Sequence, residues 1–284
     1  MGGGELRTRA VLAPTMLAIV GVVYWLDWSG ALGLKTGALS AGVLMLLGIV
    51  GAWEYAMLLR NAGFAVAKKT LVTCTALLLG SAFPLGWHAI DRELYPLVLG
   101  TMVLLFPLAL RSLRKQDMKH GLELQGATLL GFVFVAWPVY LAIGTCFRHL
   151  PSVLFVVLVC KGGDIGGYCV GRLIGRTKLI PHVSPGKTIE GAFGSLAVSM
   201  LLAVFLRAWL LEPAVQLPVW GALIMGLVLN FTTQAGDLIE SLLKRRCNAK
   251  DSSRLLPAHG GVLDLVDSLL FSFCAWFPVL VWLT

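Results

Sequence analysis

Long apolar runs follow one another along this chain at short intervals, and each is close to the length that crosses a bilayer. They fall at about 11–26, 37–58, 70–90, 95–110, 124–147, 151–171, 191–211, 217–243 and 260–284. A helix needs about 20 apolar residues to span hydrocarbon. Inside hydrocarbon the backbone must satisfy its own hydrogen bonds. The expected fold is therefore all-α, a polytopic integral membrane helical bundle of about nine transmembrane helices. Composition agrees: 13% of residues are charged and the mean hydropathy is +0.83, against about 25% charged in a soluble domain. The first run follows Arg7 and Arg9 as a signal peptide would. It lacks a small-x-small cleavage site and is expected to remain as a span.

Basic residues orient the bundle. With the N-terminus inside, the outer segments hold only Lys35, Arg92, Arg148 and Arg207 of the 23 Lys and Arg residues. Lys161 lies within a span, and all the others fall inside. This bias is the positive-inside pattern. The expected location is the cell (inner) membrane, with the N-terminus and the polar loops cytoplasmic. The net charge of +8 then follows from topology, and no nucleic-acid-binding motif accompanies it, so no nucleic-acid partner is expected. Six cysteines without C-x-x-C or metal-ligand spacing predict no disulfide framework.

Two regions are expected: residues 1–120 as N-terminal transmembrane helices, and 121–284 as a C-terminal transmembrane catalytic region with cytoplasmic loops at 172–190 and 244–259. The first five spans are bland. Glu54 and Glu123 sit near span ends, where interfacial water would solvate them, and Pro138 predicts a kink. The last four spans carry Lys161, Asp164, Asp237, Glu240, Asp264 and Asp267 in or beside apolar runs. An Asp near a helix centre in a membrane costs on the order of 2.5–3.5 kcal/mol, so a cation must compensate each acid.

Four elements hold this polarity. Lys161 and Asp164 share a helix face at i, i+3 and read either as a self-neutralising pair or as part of a site. Gly163, Gly167, Gly171 and Gly175 recur every four residues, a ridge for close helix approach that would serve intrachain packing or a homodimer. In the 172–190 loop, Lys187 with the hydroxyls of Ser184 and Thr188 offers phosphate donors, without the Walker spacing. Ser184 with Glu190 reads equally well as a helix start. Asp237, Glu240, Ser241 and Lys244 form one stripe at i, i+3, i+4, i+7. Asp264, Asp267 and Ser268 repeat the first three positions just after Gly260-Gly261. A helix starting near Val262 would place Asp264 in its first turn and offer N–H groups to a phosphate. Two acid-x-x-acid-Ser stripes make a hard-metal site plausible, since Mg²⁺ uses one or two carboxylates plus substrate phosphates. A lone His259 lacks the partners a zinc site needs.

These residues match a family pattern. Ser241-x2-Lys244-Arg245-x4-Lys250-Asp251-x-Ser253-x2-Leu256-Pro257-x-His259-Gly260-Gly261-x2-Asp264-x2-Asp267 resembles the signature of phosphatidate cytidylyltransferases, the CDP-diacylglycerol synthases. Asp164-x-Gly166-Gly167-Tyr168 and Ser184-Pro185-Gly186-Lys187-Thr188-x-Glu190-Gly191 look like two further blocks of that family, in order. The resemblance covers roughly residues 160–270. Leu265 stands where the family pattern has Arg, and Lys161-Gly162-Gly163 stands where apolar or small residues with a Trp are usual.

The resemblance implies that CTP and phosphatidate from the cytoplasmic leaflet give CDP-diacylglycerol and pyrophosphate. Asp237, Asp264, Asp267 and Lys250 are then the expected catalytic residues. Mg²⁺, with or without a second, monovalent cation, would sit on Asp237, Glu240 and Asp264. Asp164, Ser184, Lys187, Thr188, Lys244, Arg245, His259, Gly260 and Gly261 would bind substrate. A lipid phosphate monoester is ionised near neutral pH, so positioning and charge neutralisation carry the catalysis. Three other readings stand beside this one: a CTP-dependent enzyme acting on another lipid phosphate, a transporter using the intramembrane charges, and a non-catalytic lipid-binding relative.

Overall fold

The computed structural model describes residues 20–84, 90–114, 118–253, 255 and 260–284. Helix α1 covers 20–29, and the chain continues as α2 (Ala38–Asn61), α3 (Lys68–Ser81), α4 (Ile90–Arg114), α5 (Met118–Gly131), a π turn at Phe132–Ala136, α6 (Trp137–Arg148) and α7 (Leu150–Ile174). A short hairpin, β1 (Lys178–Ile180) and β2 (Ser184–Thr188), precedes α8 (Ile189–Leu206), a π turn at Arg207–Leu211, α9 (Val219–Arg246) and α10 (Val262–Leu283). The all-α membrane fold expected from the sequence is the observed one.

Among the described residues, six helical segments are long and apolar enough to cross a membrane: Ala38–Asn61, Gly121–Arg148, Leu150–Ile174, Ile189–Leu211, Val219–Arg246 and Val262–Leu283. Nine was a rough count. Most of the first expected span lies outside the described residues. The third corresponds to α3, whose 14 residues extend only about 21 Å, short of the roughly 30 Å hydrocarbon core. The fourth lies in α4, with a shorter apolar stretch at Pro96–Ala109. Just before Pro138, where the sequence predicts a kink, the helix carries the π turn at Phe132–Ala136. Proline lacks an N–H and crowds the carbonyl four residues back, so the ladder widens there.

The chain folds as two compact units. The first comprises the described residues up to Arg148 together with Cys247–Leu265; the second comprises His149–Arg246 and Val266–Thr284. In the first unit, small residues on α2 such as Ala41, Ala52 and Ala56 are fully buried and let neighbouring helices close in. Tyr55 is buried beside Phe134, with ring centroids 6.4 Å apart, and its hydroxyl donates to the Ala127 carbonyl at 3.1 Å. Asp27 caps α2 from outside the helix: its two carboxylate oxygens accept from Gly37 N at 2.9 Å and Ser40 N at 2.8 Å, so an anion meets the positive end of the helix dipole.

In the second unit the glycine ridge of α7 packs against α8. A Cβ on Gly191 would fall 2.8 Å from the Gly167 carbonyl oxygen, so the two backbones touch where both side chains are absent. The same economy joins α8 to α9, where a Cβ on Gly226 would lie 2.6 Å from Met200 Cα. Close approach of this kind drives helix association where lipid is as apolar as the side chains. The ridge therefore serves intrachain packing. Trp276, fully buried, packs on Phe155 at 5.0 Å between centroids.

Candidate active site

The 172–190 segment, expected as a polar loop, begins as the last turn of α7 and then forms the antiparallel hairpin, with Lys178 opposite Thr188 and Ile180 opposite Ser184. Pro181-His182-Val183 makes the turn. The hairpin base is closed by Ile189 N donating to Thr177 O at 2.9 Å, and by Thr177 N donating to the Glu190 carboxylate at 3.1 Å. Thr188 ends the strand and caps α8, its Oγ1 accepting from Gly191 N at 3.1 Å. The helix-start reading is thus realised, but by Thr188 rather than Ser184. Thr188 is buried, and its hydroxyl oxygen is engaged in the cap.

The hairpin carries Lys187 to α9. Its Nζ lies 2.8 Å from Asp237 Oδ2, while Asp237 Oδ1 accepts from Ser241 Oγ at 3.3 Å. Both ion-pair side chains keep partial exposure, 25% for Lys187 and 36% for Asp237, so other groups can reach them. Arg245 fixes the hairpin from the same helix, Nε donating to Val183 O at 3.4 Å. Glu240, fully buried, forms an ion pair with Lys244 one turn on. An ammonium and a carboxylate paired out of water neutralise each other, so the expected metal ligand Glu240 and the expected substrate contact Lys244 hold one another. The loop expected to start at 244 starts at Cys247, because α9 runs to Arg246; basic residues favour the negative end of a helix dipole.

Two further acids belong to this neighbourhood. Asp267 of α10 is buried and its Oδ1 accepts from Ser268 N at 2.5 Å. A Cβ on Gly236 would lie 2.6 Å from the Asp267 carbonyl oxygen; the absent side chain lets α9 and α10 touch beside Asp237. Asp164 of α7 lies 3.8 Å from Lys161 Nζ, and that ammonium donates to Ser268 Oγ at 2.7 Å. Asp164 and Asp267 both lie within electrostatic reach of Asp237 and Lys161. Three carboxylates and two lysines thus gather in the second unit. Among the described residues, no three acids, histidines or cysteines already stand at metal-ligand distance. The donor set is nevertheless one a hard cation accepts: oxygens only, with a carboxylate that already holds a cationic ammonium. Mg²⁺ in such sites takes one or two carboxylates and completes its shell with phosphate and water, which this set can supply.

The first unit holds the other expected residues. Asp264 Oδ2 accepts three hydrogen bonds, from Ser252 N at 2.8 Å, Ser252 Oγ at 2.7 Å and Gly261 N at 2.7 Å. It binds the loop before α10 to the helix itself. Gly260 has φ +88°, a left-handed conformation that glycine adopts without strain. Lys250 is exposed. His259 lies outside the described residues. The N–H groups at the start of α10, expected to face a phosphate, are occupied by Glu54: Val262 N donates to its Oε1 at 3.0 Å and Leu263 N to its Oε2 at 2.7 Å. Ser253 Oγ adds a third bond at 2.6 Å. Glu54 was expected at a wet interface, yet it is fully buried. Nothing local in the sequence marks it, because its partners are some 200 residues away; the one available signal is an acid standing near the end of an apolar run without a neighbouring base.

Residues 7–283 match the model of the Cytidylyltransferase family. A phosphatidate cytidylyltransferase of Brucella suis is 30% identical over 271 residues, covering 94% of this chain and 90% of the relative. One from Staphylococcus epidermidis is 42% identical over 122 residues, and that match spans about half of its length, 46%. One from Bacillus subtilis is 37% identical over 153 residues, covering 50% of this chain and 55% of the relative.

Proposed function

Because the chain belongs to the cytidylyltransferase family, we propose that it transfers the cytidylyl group of CTP to phosphatidate, forming CDP-diacylglycerol and pyrophosphate for phospholipid synthesis. The relatives bear the name of that activity. The observation that carries the reading is the Lys187–Asp237 pair, a lysine on a short hairpin set on an acid of a membrane-crossing helix. One substrate is a lipid and the other a soluble polyanion, and such a pair serves a reaction at their boundary.

In this mechanism an oxygen of the lipid phosphate attacks the α-phosphorus of CTP. The bond from that phosphorus to the bridging oxygen breaks, and pyrophosphate leaves with the electron pair. The attacking phosphate is already an anion, so no strong base is required. What the chain contributes is alignment and charge. Lys187 can turn from Asp237 to a nucleotide phosphate, and Asp237 would then be free to hold Mg²⁺, which when bound would neutralise charge on the phosphates. Asp267 and Asp164, within electrostatic reach of Asp237, would add negative charge around that ion. Lys161 balances part of that charge from within the membrane span. Asp264 keeps its expected ligand role in this proposal on the sequence pattern alone, and Lys250 and His259 are assigned to the phosphates on the same ground. Ser184 on the hairpin donates to phosphate. The hairpin and the N-terminus lie on the cytoplasmic side of the cell membrane, where CTP is found.

The test is incorporation of labelled CTP into chloroform-soluble lipid by the purified protein, with phosphatidate and with or without Mg²⁺. Metal-dependent CDP-lipid is the expected result. Leu265, where the family pattern has Arg, favours one second reading, a different lipid phosphate as acceptor. Competition between phosphatidate and an isoprenoid phosphate in the same assay decides between them.

A further inference from the structure

Beside the ion pair, α8 and α9 part to leave an apolar groove of about 580 Å³. Both helices are long and apolar enough to cross a membrane, and the groove walls include Phe193 and Phe231, 68% and 72% exposed. An empty groove facing hydrocarbon forfeits dispersion contacts on every wall, so in a bilayer it is filled by a lipid chain. Hydrocarbon gains no hydrophobic free energy in moving from bilayer to groove. A particular lipid is therefore selected by polar contacts, and the groove lining holds two polar side chains, Asn230 and Gln234.

Its end is the hairpin. Leu179 of β1 and Leu238 of α9 both line it, and Leu238 follows Asp237 in the chain. Its floor carries two amides. Asn230, only 3% exposed, donates to Ser195 Oγ at 2.5 Å and Ser199 Oγ at 3.2 Å and accepts from Gln234 Nε2 at 2.6 Å. Those bonds commit the Asn230 amide. They also fix the orientation of Gln234, whose amide has a second N–H. Gln234 precedes Asp237 by three residues, about 4.5 Å along the same helix face. Along α9, Asp237 paired with Lys187, then the Gln234 amide, then Phe231 and Leu227 follow one another, so the order is charge, amide donor, apolar wall. A glycerolipid presents the same order: phosphate, ester carbonyl, acyl chain.

We propose that this groove is the subsite for one acyl chain of the lipid phosphate, and that Gln234 donates to the ester carbonyl of that chain. The proposal rests on the assignment of phosphatidate as acceptor. It makes Gln234 a specificity determinant for ester-linked over ether-linked lipid.

The experiment uses the full-length protein in nanodiscs with diester and diether phosphatidate of equal chain length. The diester should have a KM about tenfold lower, the worth of roughly one hydrogen bond, and Gln234→Leu should erase that ratio while the KM for CTP stays within about twofold. Equal KM values for the two lipids in the unaltered protein would overturn the role of Gln234. Independently of turnover, phosphatidate with a diazirine on its acyl chain, irradiated without CTP, should label the α8 and α9 residues that line the groove. Leu227→Trp should suppress that labelling. Label confined to other helices would overturn the subsite, as would disulfide-linked dimers of Leu227→Cys showing that a second copy covers the groove. Label in the groove with no transfer to any lipid phosphate would refute the reaction and leave the chain subsite standing.

Discussion

The ammonium of Lys187 lies 2.8 Å from Asp237 Oδ2, which places a cation from a two-stranded hairpin on an acid of a membrane helix. Asp237→Asn is expected to lower the rate of CDP-lipid formation by about a thousandfold while leaving the thermal midpoint in detergent nearly unchanged, since the acid is partly exposed. Lys187→Met should lower kcat/KM for CTP by about a hundredfold. If the two residues act as a unit, the double variant loses little more than Asp237→Asn alone. Additive losses in steady-state kinetics would show separate roles.

Removing divalent metal with EDTA should eliminate product, and added Mg²⁺ should restore it. In Lys187→Met the Mg²⁺ concentration for half-maximal rate should fall, because the ammonium no longer competes for Asp237. An unchanged metal dependence would refute that competition.

Glu54 caps the start of α10 from a buried position. Glu54→Gln keeps the shape but turns an NH₂ group toward donors, and the loss should be about 2–4 kcal/mol. Glu123→Gln, at an exposed site where the carboxylate accepts one bond from Ala65 N, should cost less than about 1 kcal/mol. Thermal unfolding of both variants in one detergent checks the contrast.

Asp264→Asn differs from Asp237→Asn in kind. Asp264 accepts three bonds on one oxygen, so its amide should lower stability as well as activity. A folded, fully stable and inactive Asp264→Asn protein would mean that catalysis, not loop anchoring, is its main task.

Gly226→Ala puts a methyl within 2.6 Å of Met200 Cα. Backbone cannot rotate away as a side chain can, and a cost of about 1–3 kcal/mol is expected, read as a lower unfolding midpoint with CTP affinity preserved.

The membrane helices, the glycine ridge and the Asp237–Lys244 stripe were legible because each is a local pattern: hydropathy over one span, or spacing along one helix. Legibility failed wherever a partner lies far along the chain. Thr188 and Ser184 are alike in type, and only the hairpin register decides that Thr188 caps α8. Glu240 and Asp237 share one stripe, yet one is sealed against Lys244 and the other meets Lys187.

By itself, then, the sequence determined a helical membrane bundle and the few polar segments where chemistry gathers, since the bilayer penalises every charge that lacks a reason to be there. Only the tertiary structure decided which charges neutralise each other and which face a substrate. It turned Glu54 from a wet surface acid into the cap of α10, and it set Lys187 on Asp237. Both outcomes depend on which remote group arrives within about 3 Å, the range in which a hydrogen bond or ion pair overcomes desolvation.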